Sequence, residues 1–190
     1  MNLRERKKAR TRQALGDAAV LLFLERGHES TTIEEIAAAS GVSRRTFFRY
    51  FPTKEAAFFA SHHERFEAFA CSVDQGRVTS NAWAAARAAL LELAARYAED
   101  RRGSLAWHAV VEAAPGLRVQ DVACDRRWEA RLRDALVADG CSSVDAAVRA
   151  GATMGVFRAA LSDWYGDDAR TDLIGAVRRA LDWLDPAWRA

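Results

Sequence analysis

Apolar side chains recur along this chain three and four residues apart, the period of a helix that buries one face. Positions Ala14, Leu15, Ala18, Leu21, Leu22 and Glu25 follow that spacing, and Phe23 adds apolar bulk. They predict a helix over about 9–26 that Gly27 closes. A short apolar helix follows with Ile33, Ile36, Ala37 and Ala38 turned inward, then a second in which Phe47 and Phe51 share a face. Pro52 stops it, and Phe58, Phe59, Phe66 and Phe69 mark a longer helix from there to about 72. Residues 75–80, with Gly76 inside, are the first break. Beyond it helices are predicted over 81–100, 104–114, 117–139, 144–165 and 170–184. No run alternates with the period of two that a half-buried strand needs, and no internal repeat is evident. The chain reads as all-α, with about nine helices.

The stretch 31–54 carries more than periodicity. Thr31 or Thr32 caps its first helix, and Glu34 and Glu35 sit in the first turn, where the helix dipole favours negative charge. Ser40 and Gly41 end that helix, glycine taking the left-handed conformation of a tight turn. Ser43 caps the second helix. Two short helices joined by about three residues, with glycine in the joint, form a helix-turn-helix.

On the second helix Arg44, Arg45, Phe48 and Arg49 fall on the side away from Phe47 and Phe51. Arginine there can meet a guanine edge with two hydrogen bonds or clamp a phosphate, and an aromatic ring can lie on a thymine methyl. The plainer reading of one Arg-rich helix is a solvated basic side. The capped predecessor, the Gly turn and the Pro stop together favour DNA. Arg44 or Arg45 is assigned to bases, and Thr32, Thr46, Tyr50 and Lys54 to phosphates, with Ser43 beside them at the cap. Thr53 caps the helix that Lys54 opens, and the two are placed to hold one phosphate at its start. Arg10 and Arg12 are further phosphate candidates. Residues 1–8 are polar and read as a frayed arm in which Arg4, Arg6, Lys7 and Lys8 reach backbone or minor groove, or equally as a solvated tail.

The run Phe23-Leu24-Glu25-Arg26-Gly27, then Thr31-Thr32, Ile36-Ala37, Gly41-Val42-Ser43 and Phe48-Arg49-Tyr50-Phe51-Pro52-Thr53-Lys54-Glu55, resembles the DNA-binding domain of the TetR family of transcriptional regulators. The likeness covers roughly residues 8–60. It implies a DNA-binding head at 1–54 and a larger helical effector-binding and dimerisation domain at 55–190. It also implies a homodimer formed through the last two long helices. Such a dimer, most often a repressor, would set two recognition helices in successive major grooves of a palindromic operator and release it on binding a ligand. The segment RAALSDWYGDD followed by LIGAVRRALDWL is similar to members thought to sense acyl-CoA-like or fatty ligands.

Charge supports the division. Residues 1–54 hold eleven Lys and Arg against six Asp and Glu, a net +5, and the remainder is −3. A basic end on a mildly acidic body suits one part that meets phosphates and one that does not. Cys71, Cys124 and Cys141 are odd in number and far apart, with no CxxC or Cys/His ligand pattern, and read as small core residues with reduced thiols. No metal, cofactor or catalytic constellation is expected: there is no nucleophile elbow, metal motif or phosphate loop. With no signal peptide and no apolar run of membrane-spanning length, the expected compartment is the cytoplasm.

Small residues at Gly151, Ala152, Gly155, Ala159 and Ala160, and at Gly175, Ala176 and Ala180, would let the last two helices approach a second copy closely. Trp83, Trp107, Trp128 and Trp164 lie on four predicted helices, with Tyr97, His108, Met154 and Phe157 near them in pattern. They either line a cavity for a bulky apolar effector or fill a core. A ligand-responsive regulator is therefore the expectation. The alternatives are an architectural DNA-binding protein without an effector, and a ligand-binding protein or enzyme with a vestigial head, which the Arg44, Arg45 and Arg49 surface disfavours.

Overall fold

The structure, a computed structural model, describes residues 2–188. Its regular elements are all helices: α1 Leu3–Arg26, α2 Ile33–Ala39, α3 Arg44–Tyr50, α4 Lys54–Phe58, α5 Ala60–Gly76, α6 Ala82–Glu99, α7 Arg101–Ala113, α8 Pro115–Ala138, α9 Ser143–Gly166 and α10 Leu173–Trp188. The all-α architecture read from the sequence is thus found. Ten helices stand where about nine were expected, because the long helix after Pro52 is interrupted at Phe59, which leaves helical geometry at φ −79° and ψ 4°. No described helix is long and apolar enough to cross a membrane.

The chain forms two compact units. One comprises the residues up to Arg65 together with Ala106–Val119, the other Phe66–Leu105 together with the residues from Gln120 onward. In the first, Leu15, Ala19 and Phe23 recur every fourth residue and bury one face of α1. Leu21, expected on that face, is exposed, since two residues past Ala19 is about 200° round a helix. Gly16 lets α4 come close: a Cβ there would sit 3.3 Å from the carbonyl oxygen of Ala57. Ile36, Ala37 and Phe47 from the two short helices, and Phe51 just after them, are buried, whereas Ala38 is exposed.

Residues 3–8 are helical, not a frayed arm. Asn2 Oδ1 accepts the N–H of Glu5, and Glu5 Oε2 accepts the N–H of Asn2, each at 2.9 Å. This reciprocal cap satisfies two backbone donors that would otherwise be orphaned at the helix start.

The second unit is a conventional apolar core. Ala86, Ala89, Leu90 and Leu93 from α6 meet Leu132 from α8, Ala150 from α9, and Leu173, Val177 and Leu181 from α10. Alanine on α6 lets its neighbours approach closely. At one end, Arg77 donates to Asp139 Oδ1 through Nε at 2.9 Å and Nη2 at 2.7 Å, and Asp139 also accepts the N–H of Ala82. Burial pushes the Asp139 carboxyl up, but these donors outweigh it and hold the group below its usual range. α8 opens on Pro115 rather than at 117, because the first helical position needs no N–H partner. Cys71, expected in the core, is exposed on α5, and Cys124 and Cys141 are half-buried; all three are free thiols.

Candidate functional site

Helices of five to seven residues are marginal alone, so their ends decide whether they form. Thr32 Oγ1 accepts the N–H of Glu35 at 3.3 Å, and Glu35 Oε2 accepts the N–H and the hydroxyl of Thr32 at 2.9 Å. The Thr32 N–H first, and then its hydroxyl, hold the Glu35 carboxyl below the usual range, helped by Arg26 at 2.8 Å. α2 ends in a Schellman turn: Gly41 takes φ 67°, its N–H reaches Ala38 O, and Val42 N–H reaches Ala37 O at 2.9 Å. Ser43 Oγ then accepts the N–H of Thr46 at 3.2 Å, and Thr53 Oγ1 accepts that of Ala56 at 3.1 Å. These caps fix α3 on α2 through Phe47, which is fully buried and meets Phe51 with ring centroids 6.0 Å apart.

With Phe47 inward, Arg44, Arg45, Phe48 and Arg49 face outward and are exposed, Phe48 at 45%. Thr46 and Tyr50 are half-buried beside them. The arginines are not equivalent. Arg44 Nε lies 2.9 Å from Glu34 Oε1, and its guanidinium covers the Phe48 ring at 5.4 Å. Arg49 lies over the ring of Tyr50 at 5.3 Å. Arg45 makes no ion pair among the described residues. The Glu34–Arg44 pair joins α2 to α3 across the turn, and nothing in its spacing of ten announced it. Arg12 is held between the Phe51 ring at 4.5 Å and Glu64 at 3.5 Å.

Lys54, assigned from sequence to a phosphate, is turned inward in this structure. Its Nζ donates to the carbonyls of His28 at 2.5 Å and Thr31 at 3.0 Å, over the ring of Phe23. His28 in turn places Nε2 2.6 Å from Glu55 Oε1. Burial pushes Glu55 up, and its hydrogen bonds to His28, to its own backbone and to Thr53 outweigh that, leaving the carboxyl below its usual range. This polar brace ties the loop after α1 to the start of α4. Sequence reading missed it because its partners are more than twenty residues apart and one set is backbone.

The eight aromatic and apolar residues read as an effector set fall into two groups. Trp107 and His108 belong to the unit that carries the helix-turn-helix. Trp107 lies parallel to Phe58 at 5.5 Å and to His62 at 5.6 Å, while Phe58 stacks on Phe23 at 5.4 Å. The indole N–H of Trp107 is buried without an acceptor among the described residues. Burial pushes His108 below its usual range, partly opposed by Glu112. Tyr97, Trp128, Met154, Phe157 and Trp164 share the core of the other unit, where Tyr97 and Phe157 meet edge to face at 6.4 Å. Trp83 packs at the margin of that core and lines an open groove of about 850 Å³ with Arg87 and Arg149. Beside Met154, the Thr153 hydroxyl is fully buried and has no partner among the described residues.

Comparison with known proteins places these features. The model of the family described as bacterial regulatory proteins, tetR family, matches residues 15–60. The HTH-type transcriptional regulator TcmR of Streptomyces glaucescens is 32% identical over 97% of this chain and 87% of its own length. Among solved structures, that of SmeT with triclosan superposes with a TM-score of 0.72 at 20% identity, over 93% of this chain and 90% of that one. SmeT is the repressor of the Stenotrophomonas maltophilia multidrug efflux pump SmeDEF. Thermus thermophilus FadR, a repressor in complex with lauroyl-CoA, gives a TM-score of 0.64 at 22% identity, over 91% and 92%. At these identities the structures show a shared fold.

Proposed function

The chain belongs to the TetR family of bacterial regulatory proteins and is a transcriptional regulator, and from that premise we propose that it is a ligand-responsive repressor acting as a homodimer on a palindromic operator. The observation that carries this reading is the outward row Arg45, Phe48 and Arg49 on a recognition helix whose start, turn and inner face are all fixed. Donors held rigidly on one face can enter a major groove without paying to be ordered first. Residues 1–54 are assigned to DNA, and 55–190 to effector and dimer. Lys54 then acts on DNA indirectly, by holding the loop before Thr32 in place.

The partner surface of the dimer is assigned to α9 and α10. Val156, Ala159, Ala160, Ala176 and Ala180 line a shallow groove of about 340 Å³ there, with Trp183 78% exposed at its edge. A second copy would cover that ring and pack against the alanines. The effector is assigned to the cluster of Tyr97, Trp128, Met154 and Phe157; on the same helix as Met154, the buried Thr153 hydroxyl has no partner among the described residues and is a candidate polar handle. Triclosan on SmeT and lauroyl-CoA on FadR support a largely apolar ligand. Such a ligand shifts DNA binding only through its preference for one conformation, typically about 5–150-fold in affinity.

The test is sedimentation with footprinting on fragments this protein enriches from its own genome. A dimer should protect a palindrome whose half-sites are one helical turn apart, about 34 Å, or a multiple of it. Triclosan and lauroyl-CoA serve as the first effector probes, with Phe157→Ala expected to blunt release while ligand-free binding persists. A micromolar monomer protecting one half-site would refute the dimer reading.

A further inference from the structure

Two adjacent glutamates at the start of α2 do different work. Glu35 serves its own helix, closing the Thr32 cap, and pairs with Arg26 at 2.8 Å. Glu34 reaches across the turn instead, and its Oε1 lies 2.9 Å from Nε of Arg44 on the recognition helix. The Arg44 guanidinium also lies over the Phe48 ring at 5.4 Å, and that ring stands edge-on to the fully buried Phe47 at 5.7 Å. Arg44 is thus held twice, by a carboxylate at its Nε and by a ring that rests on a core residue. Both charged side chains stay open to solvent, Glu34 at 57% and Arg44 at 64%. An ion pair that exposed adds little to the stability of a fold. A carboxylate on the face that meets a polyanion also opposes binding.

We propose that Glu34 is a positioning residue for sequence selectivity: it holds Arg44 back from the phosphates and keeps it for a base edge. The inference rests on the reading of α3 as a DNA-binding helix. Of the N–H donors of a guanidinium, the contact with Glu34 takes the one on Nε. Those on the two terminal nitrogens remain, and they form the fork that meets guanine O6 and N7. A random duplex offers this pair mainly phosphates. Toward a phosphate several ångströms away, a guanidinium in contact with a carboxylate is close to neutral, so the pair gains little there. At a matching base edge the same fork donates at contact distance, where direction counts for more than net charge. With Nε and the ring face already engaged, less rotamer freedom is lost on docking. Glu34 therefore weakens binding to all DNA, and weakens it most where only phosphates are on offer.

The experiment is fluorescence anisotropy of the full chain between about 50 and 200 mM NaCl, on an operator duplex recovered by footprinting and on a random-sequence duplex of about 30 bp. Wild type, E34Q, R44Q and E34Q/R44Q form a double-mutant cycle. Glutamine is a good helix former at both exposed positions, and circular dichroism verifies that the fold is unchanged. E34Q should bind the random duplex more tightly as Arg44 takes a phosphate, with a log–log salt slope steeper by about 0.9 for each head engaged. Over that salt range this is about 3.5-fold more affinity lost per head. Operator affinity should rise less, so the operator-to-random ratio falls. In the R44Q background, E34Q should leave the slope and the ratio where R44Q set them. An E34Q variant with the wild-type ratio would overturn the proposal and show an idle surface pair, with the DNA reading left standing. Equal gains in both backgrounds would overturn it too, by showing that Glu34 acts through its own charge and not through Arg44. A wild-type chain with no affinity for either duplex at about 50 mM NaCl would remove the DNA reading and this inference together.

Discussion

α2 and α3 on one side, and α6, α9 and α10 on the other, are all amphipathic helices, yet they hold their shape by different means. The short pair has seven residues each and buries few side chains: Ile36 and Ala37 from one, Phe47 from the other. Its order comes from hydrogen bonds at the ends, with Thr32 and Glu35 at one start, Ser43 at the next and Gly41 in the turn between. Along α6 eight side chains are buried, from Ala82 to Tyr97, and along α9 six, from Ala146 to Trp164, while the described part of α10 buries Leu173, Val177, Leu181 and Leu184. There a cap is one small term beside a continuous apolar face. The difference teaches how a surface can be both rigid and available. End-capping orders α3 without covering its outer residues, whereas core packing orders α6 and α9 by consuming their faces.

That contrast is easiest to break at Phe47. Phe47→Ala should cost about 3–5 kcal/mol, the usual loss for a buried ring, and most of it should fall on α2 and α3 because no other residue of α3 is buried. Native-state hydrogen exchange reads this directly. Leu132→Ala, fully buried in the other unit, should cost about 2–5 kcal/mol and leave α2 and α3 protected. Equal loss of protection everywhere in both variants would show that the two regions are not stabilised separately.

A smaller effect is expected at the outer face. Arg45→Ala should lower operator affinity by about 1–3 kcal/mol and relax preference at one base pair, with less effect on random DNA. Arg44→Ala should do less, because Arg44 already shares its guanidinium with Glu34 and Phe48. Competition assays with single-base operator variants separate the two. Equal losses on operator and random DNA would reassign Arg45 to phosphate.

The smallest effect concerns the caps. Thr32→Ala should cost about 1 kcal/mol, near the middle of the range for a lost N-cap. Ser142→Ala, which removes the cap of the 24-residue α9, should cost about 0.5 kcal/mol, since packing holds that helix once its first turn frays. Urea denaturation of the two variants gives the order, and a reversed order would mean that α9 depends on its cap more than the short helix does.

What the sequence determined by itself was local. The 3–4 spacing, the threonine cap and acidic first turn of α2, the Gly41 turn and the Ser43 cap lie within a few residues of one another, so their physics is complete in a short window. They specified the all-α fold, the helix-turn-helix and the outward placing of Arg44, Arg45, Phe48 and Arg49. Even here a local device was missed, the Asn2–Glu5 cap that makes residues 3–8 helical. Tertiary structure alone decided the rest. Lys54 turned inward because the carbonyls of His28 and Thr31, 26 and 23 residues earlier, came within reach of its ammonium. Trp107 parted from Trp128 because a ring on an amphipathic helix pairs with whichever rings the folded chain brings to it, here Phe58 and His62. Periodicity says which side of a helix is buried, but not against what, since burial is favourable to any apolar partner and only the packed chain selects one.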